Sequence, residues 1–229
     1  MGDGGIAYTI AVWLVPLVIA IVCHEVAHGW VARAFGDQTA ARLGRLTLNP
    51  IKHVDPVGTI GLPLVLAVTG APIFGWAKPV PVVAARLRNP RFHMMLVAMA
   101  GPGMNFVLAL IAALLLGASV AAMGAVPREG VGGFVITNLF NFLLINVFLG
   151  VFNLIPLPPF DGGHVVEGLL PRPLVPGWLK LSRFGLPLFI ALLLVLPLLV
   201  PSANIVARII APIATAVSGA FLGLVGLGI

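Results

Sequence analysis

The sequence predicts an all-α protein that crosses a membrane several times. Of its 229 residues, 60% are hydrophobic and only 9% are charged, and the mean hydropathy is +1.12. A water-soluble domain carries roughly 25% charged residues, so this chain has too little charge to cover a soluble surface. Its apolar residues fall into long runs separated by short basic connectors. We therefore expect a single integral-membrane domain over residues 1–229, with about five to six transmembrane helices.

The first two apolar runs differ in character. Residues 8–35 exceed the about 20 residues that a helix needs to cross a hydrocarbon core of about 30 Å, so they predict a transmembrane helix. Residues 57–73 are interrupted by glycines and prolines and are rich in β-branched side chains. That composition favours a short re-entrant or β-hairpin segment near residues 57–75, sheltered by the rest of the protein.

The later runs predict further helices. Residues 92–123 and residues 134–155 are each long enough to span, and a proline cluster at positions 156–159 ends the second of them. Residues 184–200 predict one more helix. The tail, residues 202–229, is apolar but rich in glycine, and it either spans the membrane or lies along its interface. We place a catalytic core at about residues 8–165 and C-terminal helices at about residues 184–229.

The distribution of basic residues predicts the topology. Cytoplasmic loops carry an excess of Lys and Arg, and basic clusters flank both ends of the 57–73 segment, which favours re-entry from the cytoplasmic side. Residues 22–29 and Asp161 then lie toward the cytoplasmic face of a cell membrane, either a plasma or an inner membrane. Arg208 fits this topology poorly, because it falls on the predicted outer side. The flanking residues are Arg33, Arg42, Arg45, Lys52, Lys78, Arg86, Arg88 and Arg91.

The net charge is +6, which alone would suggest a nucleic-acid partner, and the chain has a single cysteine. The basic residues sit between apolar runs, where they mark topology and contact anionic lipids, so no nucleic-acid partner is expected. One cysteine, Cys23, excludes an internal disulfide and a cysteine-rich zinc module. Its own environment predicts a small buried apolar residue.

A metal-binding pattern lies inside the first apolar run, at His24-Glu25-Val26-Ala27-His28. Residues four apart differ by about 40° around a helix and rise about 6 Å, so both imidazoles face one side and suit one Zn²⁺ ion per chain. Glu25 points elsewhere but can reach a metal-bound water, whose pKa zinc lowers to about 7. We therefore predict Glu25 as the general base. Ionisable groups inside a membrane helix are costly unless they are partnered.

Two histidines leave a catalytic zinc site incomplete, because such a site needs a third protein ligand and an open position. Among the few acidic residues, Asp161 stands out. It follows the proline cluster and precedes Gly162 and Gly163, and a helix broken in this way can aim a carboxylate back toward a neighbouring helix. We predict Asp161 as the third ligand.

Other polar residues in apolar surroundings are candidates for supporting roles. Asn105, Asn146 and Asn153 should face the protein interior rather than lipid. Asn153 either binds the substrate backbone or the developing oxyanion, or joins helices by hydrogen bonds; Asn105 fits the structural role better. His164, close to Asp161, is the candidate partner of that ligand.

With these residues in place, the chain resembles the site-2 protease family, the M50 intramembrane zinc metalloproteases. Residues 24–28 match its H-E-x-x-H motif. Residues 153–162 match its N-x-x-P-x-P-x-x-D-G pattern, with Phe160 where leucine is more usual. Residues 101–105 look like its G-x-x-x-N element, and residues 75–81 resemble a stretch of its compact bacterial members.

The resemblance implies that His24, His28 and Asp161 bind zinc, that Glu25 is the catalytic base, and that three helices form the catalytic core. It implies transmembrane proteins as substrates, in regulated intramembrane proteolysis or in the clearance of signal-peptide remnants. The connector between residues 123 and 134 is too short for the PDZ domain of larger members. No nucleotide-sensing CBS domain is expected either. The sequence offers no feature from which to predict the oligomeric state.

Two rival functions fit some of these residues. A metal-ion transporter also keeps His, Asp and Asn inside a membrane, but it more often shows inverted repeats, and it gives Glu25 no role. An inactive scaffold with structural zinc would need four protein ligands, and the sequence supplies three.

Overall fold

The computed structural model describes residues 5–61, 64–65, 68, 75–124, 126–127, 129–200 and 204–228. Within these ranges the regular secondary structure is helical throughout. The α-helices are α1 (Ile6–Ala34), α2 (Thr39–Arg42), α3 (Pro90–Met123), α4 (Gly130–Asn153), α5 (Asp161–Leu169), α6 (Val175–Ser182), α7 (Gly185–Ile190), α8 (Leu196–Leu199) and α9 (Ala211–Leu224).

Four stretches of the described chain are long and apolar enough to cross a membrane: Ala7–Ala34, Pro90–Met123, Gly130–Asn153 and Val206–Leu224. They confirm a helical membrane protein, whereas the predicted total of five to six spans is not confirmed. The last stretch favours the spanning alternative for the tail. The run at 184–200 forms α7, a π-helical turn and α8, which together are shorter than the about 20 residues that a span needs.

Helix α3 lies at the centre of the fold and packs against α1, α4 and α5. Its alanines at 109, 112 and 113 are completely buried, and they pack in one cluster with Leu143 and Val147 of α4. Small side chains let two membrane helices approach closely. Asn141 of α4 also donates to the carbonyl of Val12, 2.8 Å away on α1. These contacts join α1, α3 and α4, as the predicted three-helix core requires.

The predicted re-entrant or β-hairpin segment near residues 57–75 is described in part. Its start is a π-helical turn, Pro56–Gly61, rather than a strand. The two ends of the segment meet, because the amide of Trp76 donates to the carbonyl of Gly58 at 3.1 Å and the amide of Lys78 donates to that of His53 at 2.8 Å. Residues 64–65 and 68 are helical as well, so the described residues of this segment show no strand. The prediction also falls on residues 62–63, 66–67 and 69–74, which lie outside the described residues.

An extended segment, residues 76–83, follows and lies against the C-terminal half of α1. Arg45 donates to the carbonyls of Lys78 at 2.7 Å and Pro79 at 3.3 Å. At its other end, the amide of Val83 donates to Oδ2 of Asp37 at 2.6 Å. Arg45 and Asp37 are both buried, so the 76–83 segment is fixed from both ends.

Candidate metal centre

Three potential metal-binding atoms converge where α1 meets the start of α5. Nε2 of His24 and Nε2 of His28 are 3.1 Å apart. Oδ2 of Asp161 is 3.2 Å from the first and 3.4 Å from the second. Both histidines are buried, and Asp161 is largely so. The structure thus brings together the three residues predicted as zinc ligands.

The imidazoles are oriented by hydrogen bonds from α1 to α3. Nδ1 of His24 lies 2.6 Å from Oδ1 of Asn105, and Nδ1 of His28 lies 2.7 Å from the carbonyl oxygen of Val97. Both partners are acceptors, so each imidazole donates through Nδ1. The Nε2 atoms therefore carry lone pairs directed at the cluster, which is the tautomer that metal-binding histidines require.

Gly101 makes room for both imidazoles. A Cβ atom at this position would lie 2.4 Å from Nε2 of His28 and 2.6 Å from Cε1 of His24. Only glycine allows α3 to pass this close to the two rings. Since Asn105 follows one helical turn later, the G-x-x-x-N element supplies both the space for the rings and a hydrogen-bond acceptor for one of them.

The end of α4 and the start of α5 present Asp161. Helix α4 ends at Asn153, and a turn rich in prolines leads to Asp161 as the first residue of α5. The two glycines that follow pack against the main chain of this turn: a Cβ at Gly162 would lie 2.3 Å from the carbonyl oxygen of Ile155, and one at Gly163 would lie 2.9 Å from the nitrogen of Pro158. The glycines therefore let α5 fold back toward α1.

The donor cluster fits a zinc ion. Tetrahedral zinc with bonds of about 2.0–2.1 Å places its ligand atoms about 3.3 Å apart, and the three observed separations are 3.1, 3.2 and 3.4 Å. Two nitrogen lone pairs facing each other at such a distance repel unless a cation lies between them. Oδ2 of Asp161 is buried and has no hydrogen-bond partner. Two imidazoles and one carboxylate are also the donor set of known catalytic zinc sites.

The protonation of Asp161 suits a metal ligand. Burial opposes ionisation of its carboxyl group, but the imidazoles of His24 and His28, when they carry protons on Nε2, outweigh burial and lower the pKa of Asp161 to about 2. A zinc ion would supply the positive charge in place of these protons when the imidazoles are neutral. The carboxylate is therefore ionised throughout the physiological pH range. Together with two neutral imidazoles it would give a zinc site with a net charge of +1.

Glu25 lies beside the cluster and is held by the 76–83 segment. The main-chain amide of Val80 donates to Oε2 of Glu25 at 2.7 Å. Glu25 is partly exposed, and among the described contacts its second oxygen has no partner. This is the position expected of a general base next to, rather than within, the ligand set.

The remaining predicted residues are divided between the centre and its surroundings. Asn105 contacts a proposed ligand directly, and Asn146 contacts Asn105 at 2.9 Å. Asn153 donates to the carbonyl of Leu149 in its own helix at 3.0 Å. His164 lies 3.5 Å from Glu167, so in this structure its described ion-pair partner is Glu167 and not Asp161.

Three groups that build the centre were missed by sequence reasoning. The carbonyl of Val97 and the amide of Val80 are main-chain atoms, which every residue type carries, so no side-chain pattern identifies them. Gly101 did leave a signal, because it opens the G-x-x-x-N element. Its spatial role against the imidazoles became apparent only from the packing of α3 on α1.

A buried two-histidine, one-carboxylate centre with an adjacent glutamate, built on helices of a membrane protein, defines a metallopeptidase of the H-E-x-x-H type. Comparison with known proteins agrees. The model of Peptidase family M50 matches residues 124–196. The chain is 41% identical over 183 residues to YwhC, a predicted zinc metalloprotease of Bacillus subtilis (strain 168), covering 78% of each protein.

Other relatives are more distant. Rip2 of Mycobacterium tuberculosis (strain Erdman), also a predicted zinc metalloprotease, is 33% identical over 82% of this chain and 68% of its own length. Zinc metalloprotease MJ0392 of Methanocaldococcus jannaschii is 23% identical over 76% of this chain but only 38% of its own length. No solved structure matches the chain. The chain belongs to peptidase family M50, the site-2 protease family, and is a zinc-dependent protease.

Proposed function

We propose that this protein is an intramembrane metalloendopeptidase, which hydrolyses peptide bonds within or near the transmembrane segments of other membrane proteins. The observation that carries the proposal is the position of the donor cluster. Two of its members lie on α1, within a stretch that is long and apolar enough to span a membrane. A peptidase centre there is suited to membrane-embedded substrates.

In this proposal each residue has one role. His24, His28 and Asp161 hold the zinc ion. When bound, zinc supplies Lewis-acid polarisation of the scissile carbonyl and activates water at neutral pH. Glu25 accepts the proton of the attacking water and passes it to the leaving amine, while the amide of Val80 fixes its orientation.

The substrate segment has to unwind before it is cut. Its main-chain carbonyls are otherwise occupied by helical hydrogen bonds and turned away from an attacking water.

We further propose that the protein lies in the cell membrane with the centre toward the cytoplasm. Support comes from the basic residues around the connectors that follow α1 and precede α3, according to the positive-inside rule. Labelling single cysteines, introduced at exposed Gly44 and Gly130 in a Cys23→Ala background, tests it. An impermeant reagent added to intact cells should label the second position and not the first, and the reverse pattern would overturn this orientation.

Replacement of Glu25 by glutamine tests the peptidase proposal against ion transport. The purified Glu25→Gln variant should retain about one zinc per chain and lose cleavage of a signal-peptide-derived transmembrane peptide by at least about 100-fold, as expected for removal of a general base. Glu129→Gln, at an exposed glutamate before α4, is the matched control and should cleave normally.

The substrates themselves can be found by comparing membrane proteomes of cells that carry the wild-type protein or Glu25→Gln. Full-length membrane proteins that accumulate in the variant would indicate regulated proteolysis, and short signal-peptide remnants would indicate clearance. A Glu25→Gln protein that cleaves at the wild-type rate, or that transports zinc across vesicles as the wild-type protein does, would contradict the proposal.

A further inference from the structure

A chain of hydrogen bonds runs from the main chain of α4 to the proposed zinc centre. Nδ2 of Asn146 donates to the carbonyl oxygen of Phe142 at 2.8 Å, and Nδ2 of Asn105 donates to Oδ1 of Asn146 at 2.9 Å. Oδ1 of Asn105 then accepts from Nδ1 of His24 at 2.6 Å. Asn105 and Asn146 are both completely buried. Nδ2 of Asn105 also lies 3.5 Å from the carbonyl oxygen of Ala20, a much longer contact than the one to Asn146, so Asn146 is its principal acceptor.

The donor and acceptor roles in this series of hydrogen bonds are fixed by its first member, the carbonyl of Phe142. A main-chain carbonyl can only accept a hydrogen bond, so Asn146 must turn its NH₂ group toward Phe142 and its oxygen toward Asn105. That oxygen requires a donor, so Asn105 presents its own NH₂ group to Asn146. The oxygen of Asn105 therefore faces His24, and His24 must carry a proton on Nδ1 to donate to it.

We propose that Asn146 is a positioning residue for the zinc centre, which acts through Asn105 to keep the proton of His24 on Nδ1 and the lone pair on Nε2. The inference rests on the proposed role of His24 as a zinc ligand. Asn146 touches none of the three ligands in the described contacts; its effect is transmitted by the orientation of one amide group.

Without the oxygen of Asn146, only the long 3.5 Å contact to the carbonyl of Ala20 holds the NH₂ group of Asn105, and the amide group of Asn105 can rotate by 180°. Its NH₂ group would then face His24, and the imidazole would have to accept at Nδ1 and carry its proton on Nε2. That tautomer cannot bind zinc through Nε2. The partner of His28 is the main-chain carbonyl of Val97, which cannot exchange its acceptor for a donor. Of the two histidines, only His24 therefore depends on the orientation of a side-chain amide.

Asn141 provides a matched control on the same helix. It is also a buried asparagine, and its Nδ2 donates to a main-chain carbonyl, that of Val12. Asn141 takes no part in the described series of hydrogen bonds from Phe142 to His24. Removing Asn141 therefore removes a comparable tertiary hydrogen bond without disturbing the orientation of Asn105.

The test is the zinc dissociation constant of the full-length protein in detergent, measured by competition with a chromophoric chelator. Loss of partners beyond the ligands costs about 10–100-fold in metal affinity, so Asn146→Leu should weaken zinc binding about tenfold or more. Asn146→Asp, protonated at this completely buried position, donates its O–H to the carbonyl of Phe142 and keeps an oxygen facing Asn105, so its zinc affinity should stay within about threefold of wild type. Asn141→Leu should also stay within about threefold, although its thermal stability falls.

Two results would overturn the inference: wild-type affinity in Asn146→Leu, or an equal loss in Asn146→Leu, Asn146→Asp and Asn141→Leu, which would indicate general packing. If the leucine variant does not fold, Asn146→Ala decides the same question, because it also lacks the oxygen and adds no bulk. Wild-type zinc affinity in His28→Ala would instead show that the proposed ligand set is wrong, so the two failures are distinguishable.

Discussion

The amide of Val80 donates a 2.7 Å hydrogen bond to Oε2 of Glu25, and this bond joins the proposed catalytic carboxylate to a segment remote from its own helix. Val80 lies in a fixed stretch of chain. Arg45 binds two carbonyls just before it, and Asp37 accepts from the amide of Val83 just after it. The orientation of Glu25 therefore depends on buried charged residues that do not touch the metal centre in the described contacts.

This bond can be removed by proline, which has no amide hydrogen. In Val80→Pro we expect the zinc content to stay at the wild-type level, because the ligands are unchanged. The rate of peptide cleavage should fall about tenfold, a part of the 10²–10⁴-fold that a positioned general base contributes. Zinc content by elemental analysis and kcat on a transmembrane peptide check the two expectations.

The control for this variant is Val80→Ala, which keeps the amide and shortens a buried side chain. It should be less stable but cleave at close to the wild-type rate. If alanine impairs kcat as much as proline does, packing of the side chain and not the amide donor is what matters at this position.

A methyl group at position 101 should destroy the centre. Gly101→Ala would put a Cβ atom 2.4 Å from Nε2 of His28, closer than any non-bonded contact allows, so the rings must move apart. We expect loss of stoichiometric zinc binding, measured by equilibrium dialysis. Gly103→Ala, on the same helix with open space around its Cβ, should bind zinc normally. Equal zinc binding by both variants would contradict the described packing of α3 on α1.

Asp161 should be indispensable for zinc affinity. Removing a residue that only hydrogen-bonds to a metal ligand lowers metal affinity by about 10–100-fold. Asp161→Asn replaces an anionic ligand itself by a neutral amide, so it should weaken zinc binding more than about 100-fold. Glu167→Gln on the same helix removes an acidic group outside the donor cluster and should bind zinc as the wild type does. Retention of zinc by Asp161→Asn would show that the third ligand lies elsewhere.

Asp37 predicts a dependence of stability on pH. Burial raises the pKa of its carboxyl, but hydrogen bonds from Thr39 and from the amide of Val83 outweigh burial and leave the pKa below its usual value. A depressed pKa in the folded state stabilises the fold above the unfolded-state pKa of about 3.9, and this contribution disappears as the pH falls through the folded-state value.

The measurement compares thermal unfolding of the wild-type protein and Asp37→Asn from pH 7 to pH 3. The variant should unfold at a temperature several degrees lower at pH 7, since hydrogen bonds to a charged acceptor are worth about 1.5–3 kcal/mol each. The difference should stay constant down to about pH 5 and narrow below pH 4. A constant difference over the whole range would contradict an ionised Asp37.

The parts that the sequence could predict follow from short-range rules. The run around His24 is long and apolar enough to be a membrane helix, and the spacing of His24 and His28 within it puts both rings on one side. Asp161 could be found because prolines and glycines mark the place where a helix ends and the chain turns. The structure brings these three residues together, and comparison with relatives confirms the family and the zinc.

Other features depend on contacts that spacing does not encode. The proposed substrate contact of Asn153 stays a prediction. In the structure its side-chain amide donates a hydrogen bond to the carbonyl of Leu149. The apolar run at 184–200 forms a helix, as predicted. This helix includes a π-helical turn at Ala191–Val195 and, from Gly185 to Leu199, is shorter than the about 20 residues that a span needs. Composition measures how apolar a segment is, whereas its length as a helix depends on local backbone geometry.

The separation of the donor residues along the chain has a consequence for biosynthesis. The two histidines are translated and inserted near the beginning, with α1, while their carboxylate partner emerges only after α4 is complete. A growing polypeptide therefore holds an unfinished metal pocket throughout most of its insertion. The complete set of three donor atoms exists only after the start of α5 folds back against α1.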